Sequence, residues 1–327
     1  MTAQTRITTP FNRDTTAADV LEGISLEGRR MIVTGASSGI GVETARALAR
    51  SGAEVTLAVR NVEAGDAVAA RITSDTDNKQ VFVTPLELSD RDSIAKLVEA
   101  WQGPLHALIN NAGVMGIPER QLTSEGWEAH FATNHLGHLA LAFQLHDALA
   151  AAGNARIVAV SSDAHAHART PIDFDDLFFE RCQYHGGKAY AQSKVANILF
   201  AVEATKRWGP DGIMANAVHP GGIKTRLQRH NEGVELPEST KKTLESWPWR
   251  TAEQGAATTV LLAASPLLDG VGGRYFENCN EAVLCDPENP TGERDAPGVA
   301  PYAIDPEAAA RLWDVSVDML RSAGWLE

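Results

Sequence analysis

The sequence predicts one α/β domain built on a doubly wound, seven-stranded parallel sheet with helices on both faces. Short apolar runs alternate with helical stretches from residue 29 onward, and a glycine-rich turn joins the first run to the first helix. Strands and helices that alternate in this way form βαβ units, whose parallel strands are covered on both faces. No change in composition marks a domain boundary. We therefore expect a polar N-terminal extension at 1–28, followed by a single domain at 29–327.

Apolar runs, and the glycines and prolines that end them, predict the individual strands and helices. Arg30–Thr34 is a short apolar run closed by Gly35, which is typical of a buried parallel strand. An alanine-rich helix at 40–51 ends at Gly52, and Glu54–Val59 forms the second strand. The remaining predictions are helices at 63–72, 90–101, 124–151, 188–208 and 305–323, and strands at 80–84, 105–109, 155–160 and 212–218. A charged segment at 223–250, with two prolines and two tryptophans, interrupts this rhythm and predicts an inserted lid.

Composition excludes several classes of protein. The formal net charge of −13 and the lack of a basic run argue against nucleic-acid binding. Three cysteines without CxxC spacing favour neither a disulfide framework nor a zinc site. The sequence has no signal-peptide pattern at its start and no apolar stretch long enough to cross a membrane. We expect a cytoplasmic protein that binds neither nucleic acid nor membrane.

The turn at 34–41 carries the signature of a dinucleotide site. Gly35 permits a tight turn, Gly39 lets the backbone approach a pyrophosphate, and Gly41 lets the helix pack on the sheet. The helix that follows offers free N–H groups and the positive end of its dipole to the anion. Three further residues of this turn are expected to bind the cofactor, namely Ser37, Ser38 and Ile40.

The end of the second strand distinguishes between the two nicotinamide dinucleotides. An acidic residue there would bind the ribose hydroxyls of NAD, but the sequence has Arg60 followed by Asn61. A guanidinium can form a bidentate pair with a 2′-phosphate. The sequence therefore predicts NADP(H) as the preferred cofactor, with NAD(H) as the alternative.

Tyr190 and Lys194 lie four residues apart and therefore on one face of a predicted helix. A free tyrosine titrates near 10, which is too high for efficient proton transfer near neutrality. A neighbouring ammonium favours the phenolate and lowers that pKa. The pair is therefore a candidate acid/base group.

Together these motifs resemble the short-chain dehydrogenase/reductase family. They match the family's order from about residue 29 to 225: the glycine turn at 34–41, Asn-Asn-Ala-Gly at 110–113, two serines at 161–162, Tyr190 with Lys194, and Pro-Gly at 220–221. The segments 134–138, 161–165 and 273–276 are similar to the retinol-dehydrogenase-like branch, which includes the oxidoreductase domain of WW-domain-containing oxidoreductase. The resemblance implies a Rossmann-type catalytic domain.

The resemblance also implies a role for each matched residue. Tyr190 would be the acid/base, Lys194 would lower its pKa and hold the nicotinamide ribose, Ser162 rather than Ser161 would bind the substrate oxygen, and Asn134 would support a water relay to the lysine. Further cofactor contacts are implied for Asn111, Ala112 and Gly113 on the adenine-ribose side, and for Pro220, Gly221, Ile223 and Thr225 on the nicotinamide side. Glu87 and Leu88 stand where the family usually has an aspartate that contacts adenine.

The implied reaction is the NADP(H)-dependent interconversion of a ketone or aldehyde and its alcohol, in a homodimer or homotetramer. Two alternatives remain open: NADPH-dependent C=C reduction in the manner of protochlorophyllide reductase, and a non-catalytic protein that senses the cofactor. The histidines near 130–138 and 165–167 lack the cysteine or paired carboxylate that would complete a metal site, so no metal is expected. A serine hydrolase would need a Gly-x-Ser-x-Gly elbow around Ser162, which is missing. Trp247 and Trp249 could equally be walls of a substrate cavity or core anchors.

Overall fold

The centre of the fold is an eight-stranded sheet with the strand order β3-β2-β1-β4-β5-β6-β7-β8. The computed structural model describes residues 5–224, 245–288 and 295–327. The strands are β1 Arg30–Thr34, β2 Glu54–Val59, β3 Val81–Pro85, β4 Ala107–Asn110, β5 Ala155–Val160, β6 Ile213–His219, β7 Tyr275–Glu277 and β8 Asn280–Glu281. Strands β1 to β7 are parallel, as predicted, and β8 pairs antiparallel to β7. The eighth strand has two residues, which is too short for a sequence pattern to reveal.

Helices cover both faces of this sheet, which confirms the predicted α/β fold. In chain order, the described α-helices are α1 Ala17–Val20, α2 Ile40–Arg50, α3 Val62–Thr76, α4 Arg91–Ala100, α5 Ala129–Phe131, α6 Gly137–Gln144, α7 His146–Ala150, α8 Ala164–His167, α9 Gly186–Trp208, α10 Ala252–Ala264 and α11 Pro306–Ser322. Single 3-10 turns lie at Gly209–Asp211, Pro266–Leu268 and Pro301–Ala303. One core contains residues of α1, α2, α3 and α10, and the opposite core contains residues of α4, α6, α9 and α11. Within the described residues, no helix combines the length and apolarity that a membrane span requires.

The predicted helix at 124–151 is shorter and less regular than its sequence indicates. It begins at Ala129, where the Glu128 carboxylate accepts the N–H of Phe131 at 3.0 Å and so caps the first turn. Its second turn, Ala132–Leu136, is a π-helix, and the remainder divides into α6 and α7. An inserted π turn rotates the side chains that follow it, and such turns are frequent at functional sites.

The N-terminal segment packs against the domain. Helix α1 has a capping box in which Thr16 and Asp19 bond each other's backbone N–H groups. Ala17 and Val20 are buried in the same core as α10. Four residues contain too little apolar periodicity to be recognised as a helix, so the sequence reading of 1–28 as an extension missed this element.

The topology explains where a ligand can bind. Strand β1 lies between β2 and β4, so the chain crosses from one half of the sheet to the other at this point. The carboxyl ends of parallel strands share one edge, and the loops leave in opposite directions on the two sides of such a crossover. This opens a crevice at the carboxyl edge of β1 and β4.

Candidate active site

A cleft of about 480 Å3 occupies this crevice. Its wall comes from the ends of β1 to β6 and from α9. The sequence-predicted residues that line it are Gly35, Ser37, Ser38, Gly39, Ile40, Arg60, Asn61, Glu87, Leu88, Asn111, Ala112, Gly113, Ser162, Tyr190, Lys194, Pro220, Gly221 and Ile223. Gly41 and Asn134 lie behind this wall, and Thr225 lies outside the described residues.

The glycine turn forms a cradle that only small residues permit. Gly35 and Gly39 have φ values of +68° and +64°, in the left-handed region that favours glycine. A Cβ on Gly35 would lie 2.8 Å from the Cα of Ala112, and one on Gly41 would lie 2.5 Å from Nδ2 of Asn111. The turn therefore packs directly on the loop after β4.

Hydrogen bonds fix the loop after β4 to the end of β1. Oγ1 of Thr34 accepts the N–H groups of Asn111 and Ala112, each at 2.9 Å, and Nδ2 of Asn111 donates to the Thr34 carbonyl at 2.7 Å. The Asn111 Oδ1 atom is buried and has no partner among the described residues. A buried acceptor without a partner is costly, and a ligand donor such as a ribose hydroxyl would satisfy it. The cradle and this acceptor fit a dinucleotide.

Arg60 lies at the opposite end of the cleft from Tyr190 and Ser162, at the end of β2. Its side chain is 59% exposed, and its Nη1 atom lies 3.5 Å from Oε2 of Glu87, a residue that follows β3. The guanidinium therefore faces solvent at the rim, where an additional phosphate group could reach it. Asn61 caps helix α3 by accepting the N–H of Ala64 at 2.9 Å.

Tyr190 is buried, and this changes the expectation for its acidity. Burial raises the pKa of Tyr190 above its usual value, the hydrogen bond with Ser162 lowers it, and the charge of Asp163 raises it further. The predicted lowering of the Tyr190 pKa by Lys194 is therefore wrong for this structure. Desolvation of the phenolate outweighs the other contributions because the ring is only 7% exposed.

Lys194 is itself buried beside this tyrosine. Its Nζ atom donates to the Val160 carbonyl at 2.9 Å and lies 5.6 Å from the centre of the Tyr190 ring. Burial lowers the pKa of Lys194 to about 7. The amine is then only partly charged near neutrality.

Asn134 lies in the π turn and acts on the cleft from behind. Its Oδ1 accepts the Val114 N–H at 2.8 Å, and its Nδ2 donates to the Val114 carbonyl at 3.0 Å and to the Ser193 hydroxyl at 2.8 Å. A Cβ on Gly113 would lie 3.1 Å from Asn134 Oδ1 and 3.6 Å from Lys194 Nζ. Asn134 thus joins the loop after β4 to helix α9, and the lysine lies close by.

The two serines after β5 have different environments. The Ser161 hydroxyl is buried and donates to the Lys194 carbonyl at 2.8 Å, so it faces the protein interior. The Ser162 hydroxyl borders the cleft, donates to Oδ1 of Asp163 at 2.9 Å and accepts the Ala164 N–H at 3.1 Å. The two hydroxyl groups therefore have different partners, Ser161 on helix α9 and Ser162 in the turn that follows β5.

Sequence reasoning missed several residues of the cleft. Asp163 and His219 border it, and each directly adjoins a predicted site residue at a strand end, which is the signal that could have identified them. Met115 and Thr133 also line the wall. Trp247 and Trp249, left open between wall and core, line the cleft and are partly exposed.

Comparison with known proteins gives one consistent family. Residues 29–171 match the family model of short chain dehydrogenases. A probable oxidoreductase of Streptomyces antibioticus is 49% identical over 92% of this chain and its own full length. Human retinol dehydrogenase 12 is 39% identical over 91% of this chain and 88% of its own length. The complex of Pseudomonas aeruginosa RhlG with NADP has a TM-score of 0.60 and 25% identity, over 77% of this chain and 95% of that one.

Proposed function

The chain belongs to the short-chain dehydrogenase family of NAD(P)-dependent oxidoreductases, and we propose that it interconverts a ketone or aldehyde and the corresponding alcohol with NADP(H). The observation that carries this proposal is the meeting of Ser162 and Tyr190 at one end of a cleft whose other end holds the glycine turn and Arg60. The hydroxyl groups of Ser162 and Tyr190 would both hydrogen-bond the oxygen atom of a substrate bound there. A dinucleotide along the cleft would bring its nicotinamide beside them.

The proposed cofactor contacts follow the cleft. The backbone of 35–41 would hold the pyrophosphate, Asn111 to Gly113 the adenine-side ribose, and Pro220 to Ile223 the nicotinamide. Arg60 would pair with a 2′-phosphate. When bound, the dinucleotide supplies or accepts the hydride at the substrate carbon. Binding substrate and cofactor in one cleft replaces a bimolecular encounter with an oriented one.

The protein's side chains supply the proton and the hydrogen bond that polarises the substrate C=O group. In the reductive direction, Tyr190 gives its Oη proton to the substrate oxygen as negative charge develops there. The Ser162 hydroxyl, whose one proton lies on Asp163 Oδ1 without substrate, turns to donate a hydrogen bond to the same oxygen. Lys194, when protonated, stabilises the resulting phenolate. Asn134 keeps the Val114 backbone and Ser193 in place. In the oxidative direction, the Tyr190 phenolate takes the proton from the alcohol.

Two observations favour this reaction over the alternatives. The Ser162 hydroxyl lies beside Tyr190, which suits reduction of a C=O bond because the proton then goes to the oxygen that both hydroxyl groups would bind, whereas reduction of a C=C bond ends with the proton on carbon. The second observation is that all four residues are present and connected. Tyr190 bonds Ser162, Lys194 bonds the Val160 carbonyl, and Asn134 bonds Ser193, the residue before Lys194. A protein that only senses the cofactor does not require this arrangement. The names of the relatives, an oxidoreductase and retinol dehydrogenases, support the same reaction class.

The test is a panel of bulky ketones and secondary alcohols, assayed with NADP(H) and NAD(H). We expect Tyr190→Phe to nearly abolish turnover while NADPH still binds, because only the phenolic hydroxyl group, the proton donor, is removed. Tyr184→Phe is the matched control, since it deletes a phenol that bonds Glu128 at 3.0 Å. Full activity in Tyr190→Phe would refute the assignment. Product analysis that finds a saturated ketone rather than an alcohol would establish C=C reduction.

A further inference from the structure

His219 is a buried residue that no step of the proposed reaction uses. It ends β6, directly before Pro220, and only 3% of it is exposed. Its Nδ1 atom accepts the N–H of Asp163 at 3.1 Å, and its Nε2 atom lies 2.8 Å from the carbonyl oxygen of Asp295. An imidazole nitrogen that accepts an N–H carries no proton, so the proton is on Nε2 and is donated to Asp295. Both ring nitrogens are therefore satisfied in one neutral tautomer.

The hydrogen bond from the Asp163 N–H to His219 Nδ1 matters because Asp163 in turn holds the Ser162 hydroxyl. Ser162 donates to the Asp163 side chain and accepts the N–H of Ala164, so its orientation depends on where this short turn lies. Helix α8 follows with four residues, which is too short to be stable alone. The turn therefore needs anchors from elsewhere in the fold. His219 is one anchor, and His165, whose Nδ1 donates to the Ser162 carbonyl at 2.6 Å, is another.

The far side of His219 is held by a buried ion pair. Oδ2 of Asp295 accepts Nε of Arg250 at 3.0 Å and Nη2 at 2.8 Å, and both side chains are almost completely buried. The backbone N–H of Arg250 donates to the Gly222 carbonyl at 2.9 Å. A paired, hydrogen-bonded charge in a low-dielectric interior is costly to displace. The pair thus fixes the position of Asp295, whose carbonyl bonds His219 Nε2, and Arg250 also holds the loop after β6.

We propose that His219 is a positioning residue for Ser162. It holds Asp163 at a fixed position relative to the Arg250–Asp295 pair, and so places Ser162 Oγ where its proton can turn from Asp163 to the substrate oxygen. This proposal rests on the proposed function. One ring joins the turn that binds the substrate oxygen to the loop at 220–222 that borders the nicotinamide end. A shift of about 1 Å in a reacting group can lower the rate about 100-fold. His219 therefore acts on the chemical step and not on affinity for the cofactor.

Substitution of His219 by asparagine or by glutamine tests the roles of the two ring nitrogens separately. The side-chain amide of asparagine reaches the place of Nδ1, so His219→Asn can keep the acceptor for the Asp163 N–H. The amide of glutamine reaches the place of Nε2, so His219→Gln keeps the bond to Asp295 and loses the one to Asp163. We expect His219→Gln to lower kcat about 10–100-fold with little change in KM or in NADPH affinity. We expect His219→Asn to recover most of that loss. His135→Gln, at a buried histidine that bonds Ser316, is the control.

A double-mutant cycle with Ser162→Ala distinguishes positioning from general stabilisation. If His219 acts through Ser162, His219→Gln costs less than about 3-fold once the hydroxyl is gone. An equal loss in both backgrounds would overturn the proposal. If His219→Gln does not fold, the same cycle is run with His219→Ala, which loses both ring hydrogen bonds and must likewise cost less than about 3-fold in the Ser162→Ala background.

A second readout does not depend on turnover, and it separates this proposal from the proposed function. Hydrogen exchange of the Asp163 amide reports directly on its bond to Nδ1. We expect exchange to be faster in His219→Gln than in the wild type and near the wild-type rate in His219→Asn. The same rate in all three proteins would refute the role of His219. Absence of carbonyl reduction by the wild type would instead refute the proposed function.

Discussion

The Arg60 guanidinium lies 3.5 Å from the Glu87 carboxylate across the ends of β2 and β3. Both side chains are partly exposed, and an exposed pair of this kind contributes at most about 1 kcal/mol. The same guanidinium is the proposed partner of the 2′-phosphate, so Glu87 competes with that phosphate and repels it. The balance between NADP(H) and NAD(H) should therefore depend on both residues.

We predict that Glu87→Gln tightens NADPH binding about 3–10-fold and leaves NADH binding nearly unchanged, because it removes one negative charge beside the 2′-phosphate. Arg60→Gln should weaken NADPH binding at least about 10-fold and spare NADH. Fluorescence titration of the purified variants measures both dissociation constants, and raising the salt concentration should shrink both effects. Equal changes for the two dinucleotides would contradict the proposed role of Arg60.

The sequence predicts those parts of the site that lie within a few consecutive residues. The glycine turn at 34–41 and the spacing of Tyr190 and Lys194 need only neighbouring residues. Tyr190, Lys194 and the turn residues Gly35, Ser37, Ser38, Gly39 and Ile40 line the cleft. The contact between His219 and Asp163 spans 56 residues and is created by the pairing of β5 with β6, so no local pattern contains it. The π turn that carries Asn134 and the raised pKa of Tyr190 likewise depend on packing and burial.

Burial of Lys194 predicts a specific pH dependence of stability. Its pKa falls from 10.5 to about 7 on folding, so between these values the unfolded chain holds a proton that the folded chain lacks. Stability should therefore rise with pH across this window, by up to roughly 5 kcal/mol. Lys194→Met removes this contribution, and we expect it to stabilise the protein more at pH 7 than at pH 10.

Urea unfolding at the two pH values measures the difference between Lys194→Met and the wild type, in which the titration of all other groups cancels. Lys206→Met is the control, because Lys206 is 64% exposed and pairs only loosely with Glu203 at 3.5 Å. A stabilisation by Lys194→Met that is the same at both pH values would show that Lys194 is not desolvated.

Three buried histidines predict a loss of stability on acidification. Burial lowers the pKa of His138 and His165 to about 4 and that of His135 to about 3, against 6.5 for a free histidine. As the pH falls from 6.5 towards 4, the unfolded chain takes up protons that the folded chain excludes. Each group therefore costs about 3 kcal/mol by pH 4.

His135→Gln tests one of these contributions in isolation. The variant loses the bond to Ser316 at every pH, so we expect it to be less stable than the wild type near neutrality. It also lacks the acid-dependent cost, so this deficit should shrink as the pH falls below about 6.5. Urea unfolding midpoints between about pH 7 and 4.5 measure the trend. A deficit that is constant over this range would mean that His135 takes up its proton as readily in the folded protein as in the unfolded chain.

Gly137 marks the closest approach between helix α6 and the loop after β3. A Cβ at this position would overlap the Leu88 carbonyl oxygen and lie 2.8 Å from the Leu88 Cβ. Helix propensity alone would make Gly137→Ala stabilising by about 1 kcal/mol. Overlap with backbone atoms is the larger effect, so we predict a net destabilisation of about 1–3 kcal/mol.

Displacement of Leu88 by Gly137→Ala should also weaken cofactor binding. Leu88 lines the cleft, and Gly137 directly follows the π turn that holds Asn134, so a shift here moves both. Gly209→Ala is the matched control, because the one described residue that a Cβ there would meet is Met214, at an ordinary 3.8 Å. We expect Gly137→Ala to lower both the unfolding temperature and NADPH affinity, and Gly209→Ala to change neither. A destabilised Gly137→Ala that binds NADPH as tightly as the wild type would show that Leu88 does not support the cofactor.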